Sequence, residues 1–545
     1  MVAGILLALA ATAANSRTAP SFSETRLKED IEVLSSDRFE GRAPATAGEE
    51  KTIDYLASRL RAAGLEPGGD PVPGGRAWTQ AVPLDRFAFD SPLAISFRSI
   101  DGHEAWTQGD EIAIRPTQSG RTNIAITDAP LVFIGYGVSA SERNWDDFKG
   151  MDLRGKIALV LVNDPDFETG SGDFGGRAMT FYGRFTYKFE EAARHGALGV
   201  LVIHEDAAAG YGWNTVRNSN GAERFGLKSN QPSTRHADVE GWIRYGAAEH
   251  LFHEAGLDIG AEKRRAQGRD FRPVPLTGTS LSVAYRIGVQ TVMTHNVIGL
   301  RPGTTHPDET VIYSAHWDHL GIGPPDRQGD RIFNGAADNA SGCAELLELA
   351  RAYGREAPPR RTVVFLASAA EEKGLLGAEF YVANPVHPIA KAVADINMDI
   401  AALHGRTRDV SSDGDETALS IEDDLARLAR RQHRTFTPDP HLENGEYFRG
   451  DQFAFARKGV PALAFRPGLD LVRGGREAGR HFEEAYERER YHQPGDEYDP
   501  SWDFSGTIED LALLYRLGRW LATSRDWPSW KAGSEFRVQR DPLAP

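Results

Sequence analysis

Apolar positions along this chain follow two periods, and the change from one to the other divides it. Between Ser21 and about Pro83 they recur at helical spacing. Ile53, Leu56, Leu60 and Ala63 share one face, Thr46 and Glu49 are spaced as a capping box, and Gly64 supplies a stop. This predicts a helical N-terminal piece over residues 21–83. From about 84 to 288 the pattern changes to short apolar runs, such as 131–134 and 157–162, separated by many glycines, with one helical stretch near 182–195. That spacing predicts a β-rich insertion. From about 290 onward strands (310–314, 362–367, 392–396) alternate with helices (342–353, 373–382, 419–430, 508–521). Alternation of this kind predicts an α/β domain over 290–530, a mostly parallel central sheet flanked by helices, with 531–545 left as a tail.

Composition narrows the chemistry. Hydrophobic residues make up 40% and charged residues 26%, as in a soluble globular protein. A formal charge of -16, from 62 basic against 78 acidic residues, argues against nucleic acid as a partner, since phosphate neutralisation needs Lys and Arg. The single cysteine, Cys343, forms neither an intrachain disulfide nor a Cys-rich zinc site, so any metal falls to His, Asp and Glu. Residues 1–16 carry no charge, hold an apolar stretch at 5–11 and pass into Ala11-Thr12-Ala13, which predicts a signal peptide and a secreted or periplasmic product. That stretch is shorter than the ~20 residues that span a bilayer, so no stable membrane insertion is expected after cleavage.

In an α/β sheet functional groups gather beyond the carboxyl ends of the strands. There the sequence supplies His316 and Asp318, then Asp338 in a loop opening a helix, the adjacent pair Glu371-Glu372, Asp399, and finally His492. On an extended chain His316 and Asp318 point to the same side, so the carboxylate is placed to orient the imidazole. Each residue alone has a bland reading, as a helix cap or a charged helix start. Two His and three acids at successive strand ends, with one Glu to spare, are what a two-metal hydrolytic site requires.

Five ordered motifs resemble the two-zinc aminopeptidase family, which includes glutamate carboxypeptidase and transferrin-receptor relatives. They are Ser314-Ala315-His316-Trp317-Asp318, Asp338-Asn339-Ala340-Ser341-Gly342, Glu371-Glu372 with Gly374, Asn397-Met398-Asp399, and His492-Gln493-Pro494-Gly495-Asp496. The resemblance implies the zinc exopeptidase fold and two Zn²⁺ per chain. His316 and Asp399 would bind one zinc, Glu372 and His492 the other, and Asp338 would bridge. Glu371 would be the general base acting on a hydroxide shared by the zincs, Tyr491 would stabilise the oxyanion, and Asp318 and Asp496 would support the ligands. Residues 131–203 resemble a protease-associated domain. Arg449-Gly450-Asp451 resembles a loop near the substrate, with Gln452 where a His is usual; an adhesion-motif reading of it is the weaker one. The expected activity is removal of residues from peptide or protein N-termini. The rivals are a glutamate-type carboxypeptidase, for which Arg449 and Arg466 are candidate carboxylate receptors, and a non-enzymatic receptor. Nothing in the sequence fixes the oligomeric state.

Overall fold

One 28-residue strand, Val274–Arg301, is the spine of two sheets in the computed structural model. The model describes residues 20–100, 102–220, 223–228, 235–414, 419–532, 534 and 536–537; the expected signal segment 1–16 and most of the tail lie outside the described residues. The end of the spine pairs antiparallel with Arg361–Ser368. Beside that strand lie His306–His316, Ala392–Met398 and Ala462–Pro467, each parallel to its neighbour. Arg361–Ser368 and Ala392–Met398 are buried at every residue, as strands covered on both faces must be. Helix Gly342–Arg355 packs on this sheet with Glu24–Leu34, Ala47–Ala62 and Ser505–Thr523, and their apolar faces share one core with the strands.

The first half of the spine belongs to the second sheet. It pairs with Ala94–Arg98 on one side and Asn123–Phe133 on the other. Ile157–Leu161, Gly199–His204 and Val239–Arg244 then follow in parallel, and Ile112–Arg115 closes the edge antiparallel. Thr79–Phe89 pairs with the spine across residues 287–297. The boundary expected between 288 and 290 therefore falls inside a continuous strand.

The α/β architecture and its flanking helices agree with the sequence reading, and the predicted strands differ from the observed ones only at their ends. Three expectations fail. The N-terminal piece is helical only as far as Ala62, after which strands Glu66–Pro67 and Thr79–Phe89 follow. Among the described residues the β-rich region holds not one α-helix but five, adding Asp206–Ala209, Trp213–Asn220, Tyr245–Glu254 and Ile259–Ala266 to Phe185–Arg194. These run to 10 residues at most, too short to display a helical period. Helix Gly475–Glu489 was missed because most of its residues are charged; its stripe is narrow, with Phe482 and Tyr486 only partly buried against the core and Gly479 alone fully buried. The helix expected from Lys373 starts at Leu376 instead, after Gly374 and Leu375 turn at positive φ.

Arg42 joins the N-terminal helices to the strand ends. Its side chain is 1% exposed and donates to the carbonyls of Trp317, Leu34, Asn334 and Gly335 at 2.6–2.9 Å. Each buried carbonyl left without its donor costs about 1–3 kcal/mol. Arg42→Leu is therefore expected to lower unfolding free energy by at least about 3 kcal/mol, read from the urea midpoint. A loss under about 1 kcal/mol would show that the clamp is not needed.

Candidate metal centre

Beyond the carboxyl ends of the parallel strands the loops converge. His316 is the last residue of its strand, Glu371 and Glu372 follow Arg361–Ser368, and Asp399 follows Ala392–Met398. Asp338 lies in the turn Ala336–Ser341 that opens helix Gly342–Arg355, and His492 follows Gly475–Glu489. Asp338 stands between two halves. Its Oδ1 is 3.2 Å from His316 Nε2, and its Oδ2 is 3.3 Å from His492 Nε2. Asp399 Oδ1 is 3.4 Å from the first imidazole, and Glu372 Oε2 is 3.1 Å from the second. His319, given no role by the sequence reading, joins the second half with Nδ1 2.7 Å from Glu372 Oε1. Its signal was present in the sequence: it follows His316 by three residues in the same strand exit.

Several of these close approaches are not hydrogen bonds. His316 Nε2, both ring nitrogens of His319, Glu372 Oε1 and Asp399 Oδ1 are buried without a hydrogen-bond partner. So many partnerless buried atoms in one spot would be costly unless they share a cation. Among the described residues, His316–Asp338–Asp399 and His319–Asp338–Glu372 each hold their ligand atoms within 4.8 Å of one another. Zn–N and Zn–O bonds of ~2.0–2.2 Å fit inside such triads, and the N/O donor set suits zinc.

Supporting contacts come mainly from backbone. His316 Nδ1 meets the Asp318 carbonyl at 3.1 Å, while the Asp318 carboxylate stands 3.8 Å away. That carboxylate instead accepts the N–H groups of Glu371 (2.9 Å) and Glu372 (3.3 Å). The expectation that it orients the imidazole is thereby corrected, because its oxygens are aimed at the neighbouring loop. Asp496 accepts the N–H groups of Ala337 and Asp338. Asn339 ties the Asp338 turn to the Asp399 loop, donating to the Met398 carbonyl and accepting from Ile400 N–H. Tyr491 stacks on His492 with centroids 4.1 Å apart.

The field here favours positive charge. Burial opposes protonation of His316, yet Asp399, Glu371 and Asp338 raise it well above its ordinary value. His492 behaves alike and is pushed up to about 10 by Glu372 and Asp338. Burial pushes Glu371 well up, and the negative charges of Glu372, Asp451 and Asp399 add to it while His316 opposes. Glu372 is held well below the carboxylate range against its burial by the imidazoles of His492 and His319.

The centre opens into a cleft of about 1840 Å³ between the two sheets. Glu371, Asp399 and Tyr491 line one side, and Arg184, Phe185 and Tyr211 come from the β-rich region. Arg466 does not fit the expectation of a carboxylate receptor. Its guanidinium already meets Asp413 at 3.2 Å, Glu483 at 2.8 Å and Glu446. Asp451 is 1% exposed and accepts from Ser368 Oγ, so its tripeptide is no surface adhesion motif.

Residues 296–515 match the family described as Peptidase family M28. A probable zinc metalloprotease of Pyrenophora teres f. teres (strain 0-1) is 38% identical over 104 residues, 19% of this chain and 22% of that protein. The aminopeptidase NAALADL1 of Rattus norvegicus is 27% identical over 380 residues, 57% of this chain and 46% of that protein. The alignments thus span less than half the length of these curated relatives. An aminopeptidase from Aneurinibacillus sp. strain AM-1 shares the fold, with a TM-score of 0.53 at 18% identity over 94% of this chain and 95% of that one. Among the described residues no helix is long and apolar enough to cross a membrane.

Two predictions follow from the geometry. His319→Ala is expected to weaken zinc held beside Glu372 by about 10–100-fold, the usual effect of losing a ligand's neighbour, as measured by competition with a chelator. Unchanged zinc affinity would remove His319 from the centre. Farther along the cleft, His441 is raised to about 9, first by its hydrogen bond to Glu483 and against partial burial. Since its folded value lies above the ordinary 6.5, its contribution to stability is full below that pH and is lost as pH rises through about 9. The urea midpoint difference between the native chain and His441→Gln should be largest near pH 6 and close to nil near pH 10. A constant difference over that range would refute the pairing.

Proposed function

We propose, from the match of residues 296–515 to the family described as Peptidase family M28, that the chain is a secreted two-zinc exopeptidase, an aminopeptidase that removes residues from free peptide N-termini. His316 and Asp399 would hold one zinc, Glu372 and His492 the other, and Asp338 would serve both. Zinc, when bound, lowers the pKa of a coordinated water and polarises the carbonyl of the scissile bond. Glu371 is left over for the proton: it accepts one from the attacking water and returns it to the departing amine. Tyr491 donates its phenol proton toward the carbonyl oxygen as that oxygen gains charge. Asp318 fixes the backbone of both Glu371 and Glu372, so the base and a ligand keep one spacing.

The observation that carries the reading is the cluster of partnerless buried atoms of His316, His319, Glu372 and Asp399 beside the half-buried Glu371 carboxylate at the mouth of a cleft. The complete ligand set speaks against a non-enzymatic receptor. Loss of Arg466 to internal ion pairs takes one of the two expected receptors from the glutamate-carboxypeptidase reading. The expected region resembling a protease-associated domain, over 131–203, supplies one wall of the cleft in this reading.

Glu371→Gln keeps the shape of the side chain and removes its basicity. The variant is expected to retain two zincs by elemental analysis while kcat falls at least ~10²-fold on alanyl peptides, and N-acetylation of those peptides should abolish hydrolysis by the native chain. Normal turnover by the fully metallated variant would exclude Glu371 as base. Equal cleavage of acetylated and free peptides would exclude the aminopeptidase reading.

A further inference from the structure

A centre with one imidazole for each of two metals needs two histidines, and this chain brings three. His319 follows His316 by three residues at the same strand exit and is 0% exposed. Its ring has a seat built for it. Gly335, at φ 57°, passes so close that a Cβ there would come within 2.6 Å of the ring's Cγ and 2.7 Å of its Cδ2. Gly335 leads directly into the turn Ala336–Ser341 that carries Asp338, so the glycine that admits the ring also delivers the shared carboxylate.

Both nitrogens of His319 are buried without a hydrogen-bond partner, and so is Glu372 Oε1, although His319 Nδ1 stands 2.7 Å from that oxygen. Nδ1 is also 3.9 Å from Asp338 Oδ2. His492 meets the same two carboxylates, with Nε2 3.1 Å from Glu372 Oε2 and 3.3 Å from Asp338 Oδ2. The two rings stand 5.7 Å apart between centroids, at 76° to one another. Two imidazoles and two carboxylates therefore surround one space, and a cation there satisfies atoms that are otherwise costly to bury.

The other half is built differently. His316 Nε2, Asp338 Oδ1 and Asp399 Oδ1 make three ligand atoms, and the Asp399 side chain is 35% exposed, whereas none of His319, His492, Glu372 and Asp338 exceeds 10%. Four protein ligands characterise a zinc that is held in place, and three with one position open characterise a zinc that meets substrate.

We infer that His319 is itself a ligand of the zinc beside Glu372 and His492, so that this half is a closed site of four protein ligands, filled first and emptied last, while the half at His316 and Asp399 keeps three. The inference rests on the two-zinc reading and adds a ligand that the motif resemblance does not include. It also separates the adjacent acids. Glu372 faces an imidazole through each oxygen, which leaves Glu371 as the carboxylate of the pair that can exchange a proton.

The test reads the metal and not turnover. The demetallated full chain is given one equivalent of Zn²⁺, and X-ray absorption is expected to count two imidazoles on that zinc in the native chain and one in His319→Asn. Asparagine sets an amide where Nδ1 stands, so it can still donate to Glu372 but brings no imidazole. Against a competing chelator the first equivalent should be held about 10–100-fold less tightly in His319→Asn, while the second changes by less than about threefold. A single imidazole on the first zinc of the native chain overturns the assignment, whether or not the variant folds. First-zinc affinity unchanged in a folded His319→Asn also overturns it and leaves His319 a hydrogen-bonding neighbour of Glu372. Uptake of only one zinc, bound by two imidazoles, ends the two-zinc reading and supports His319 as a ligand. Failure to cleave free peptide N-termini ends the aminopeptidase reading, and the imidazole count still decides His319.

Discussion

Asp338, Glu371, Glu372, Asp399 and Asp451 are gathered into one region of low polarisability, and the need for positive charge among them governs the rest of the structure. Three kinds of cation meet that need. Zinc is the first, fitted by the partnerless atoms of His316, His319, Glu372 and Asp399. Without metal the imidazoles take its place, since the acids, against burial, raise His316 and His492 above the ordinary value. Arg42 is the third and the only permanent one. It spends its hydrogen bonds on four carbonyls rather than on the acids, yet its charge acts on Asp496, Asp338 and Asp318. An arginine bound directly to those carboxylates would compete with metal; one held behind them does not.

The same constraint explains how the loops are held. Carboxylates that must face a metal cannot also anchor their own loops, so the anchoring passes to groups behind them. Asp318 and Asp496 accept backbone N–H groups from the segments bearing Glu371, Glu372 and Asp338. Asn339 links two ligand loops through its amide. The β-rich region takes part as well. Asn163 donates both to Ala208 in its own region and to Glu443 across the cleft, and Asn218 donates to the carbonyl of His492. Substrate walls and metal ligands are thereby tied through backbone contacts that no charge change at the centre would break.

What the sequence disclosed follows from this division. Strands buried on both faces are continuous apolar runs, and a candidate ligand at the end of each run is conspicuous; His316, Glu372 and Asp399 stood out as candidates for that reason. Asp338 and His492 were legible through the motifs around them. Arg42, Asp451 and Arg184 were not singled out for the parts they play, because what matters about each is burial, which neither composition nor spacing reveals. Arg466 was misread for the complementary reason: an arginine near a substrate loop looks available until its three acidic partners are seen. Helix Gly475–Glu489 escaped because Phe482 and Tyr486, its two large apolar residues, are lost among charged neighbours.

The cleft is polarised along its length, and the two ends are built differently. Around Arg466 the acids Asp413, Glu446 and Glu483 outnumber the one guanidinium, and His441 faces Glu483 from outside. That end is internally compensated, so it offers geometry and a residual negative field rather than an open charge. Around Arg184 and Arg449 the reverse holds: two guanidinium groups meet no carboxylate among the described residues, on a chain whose net charge is -16.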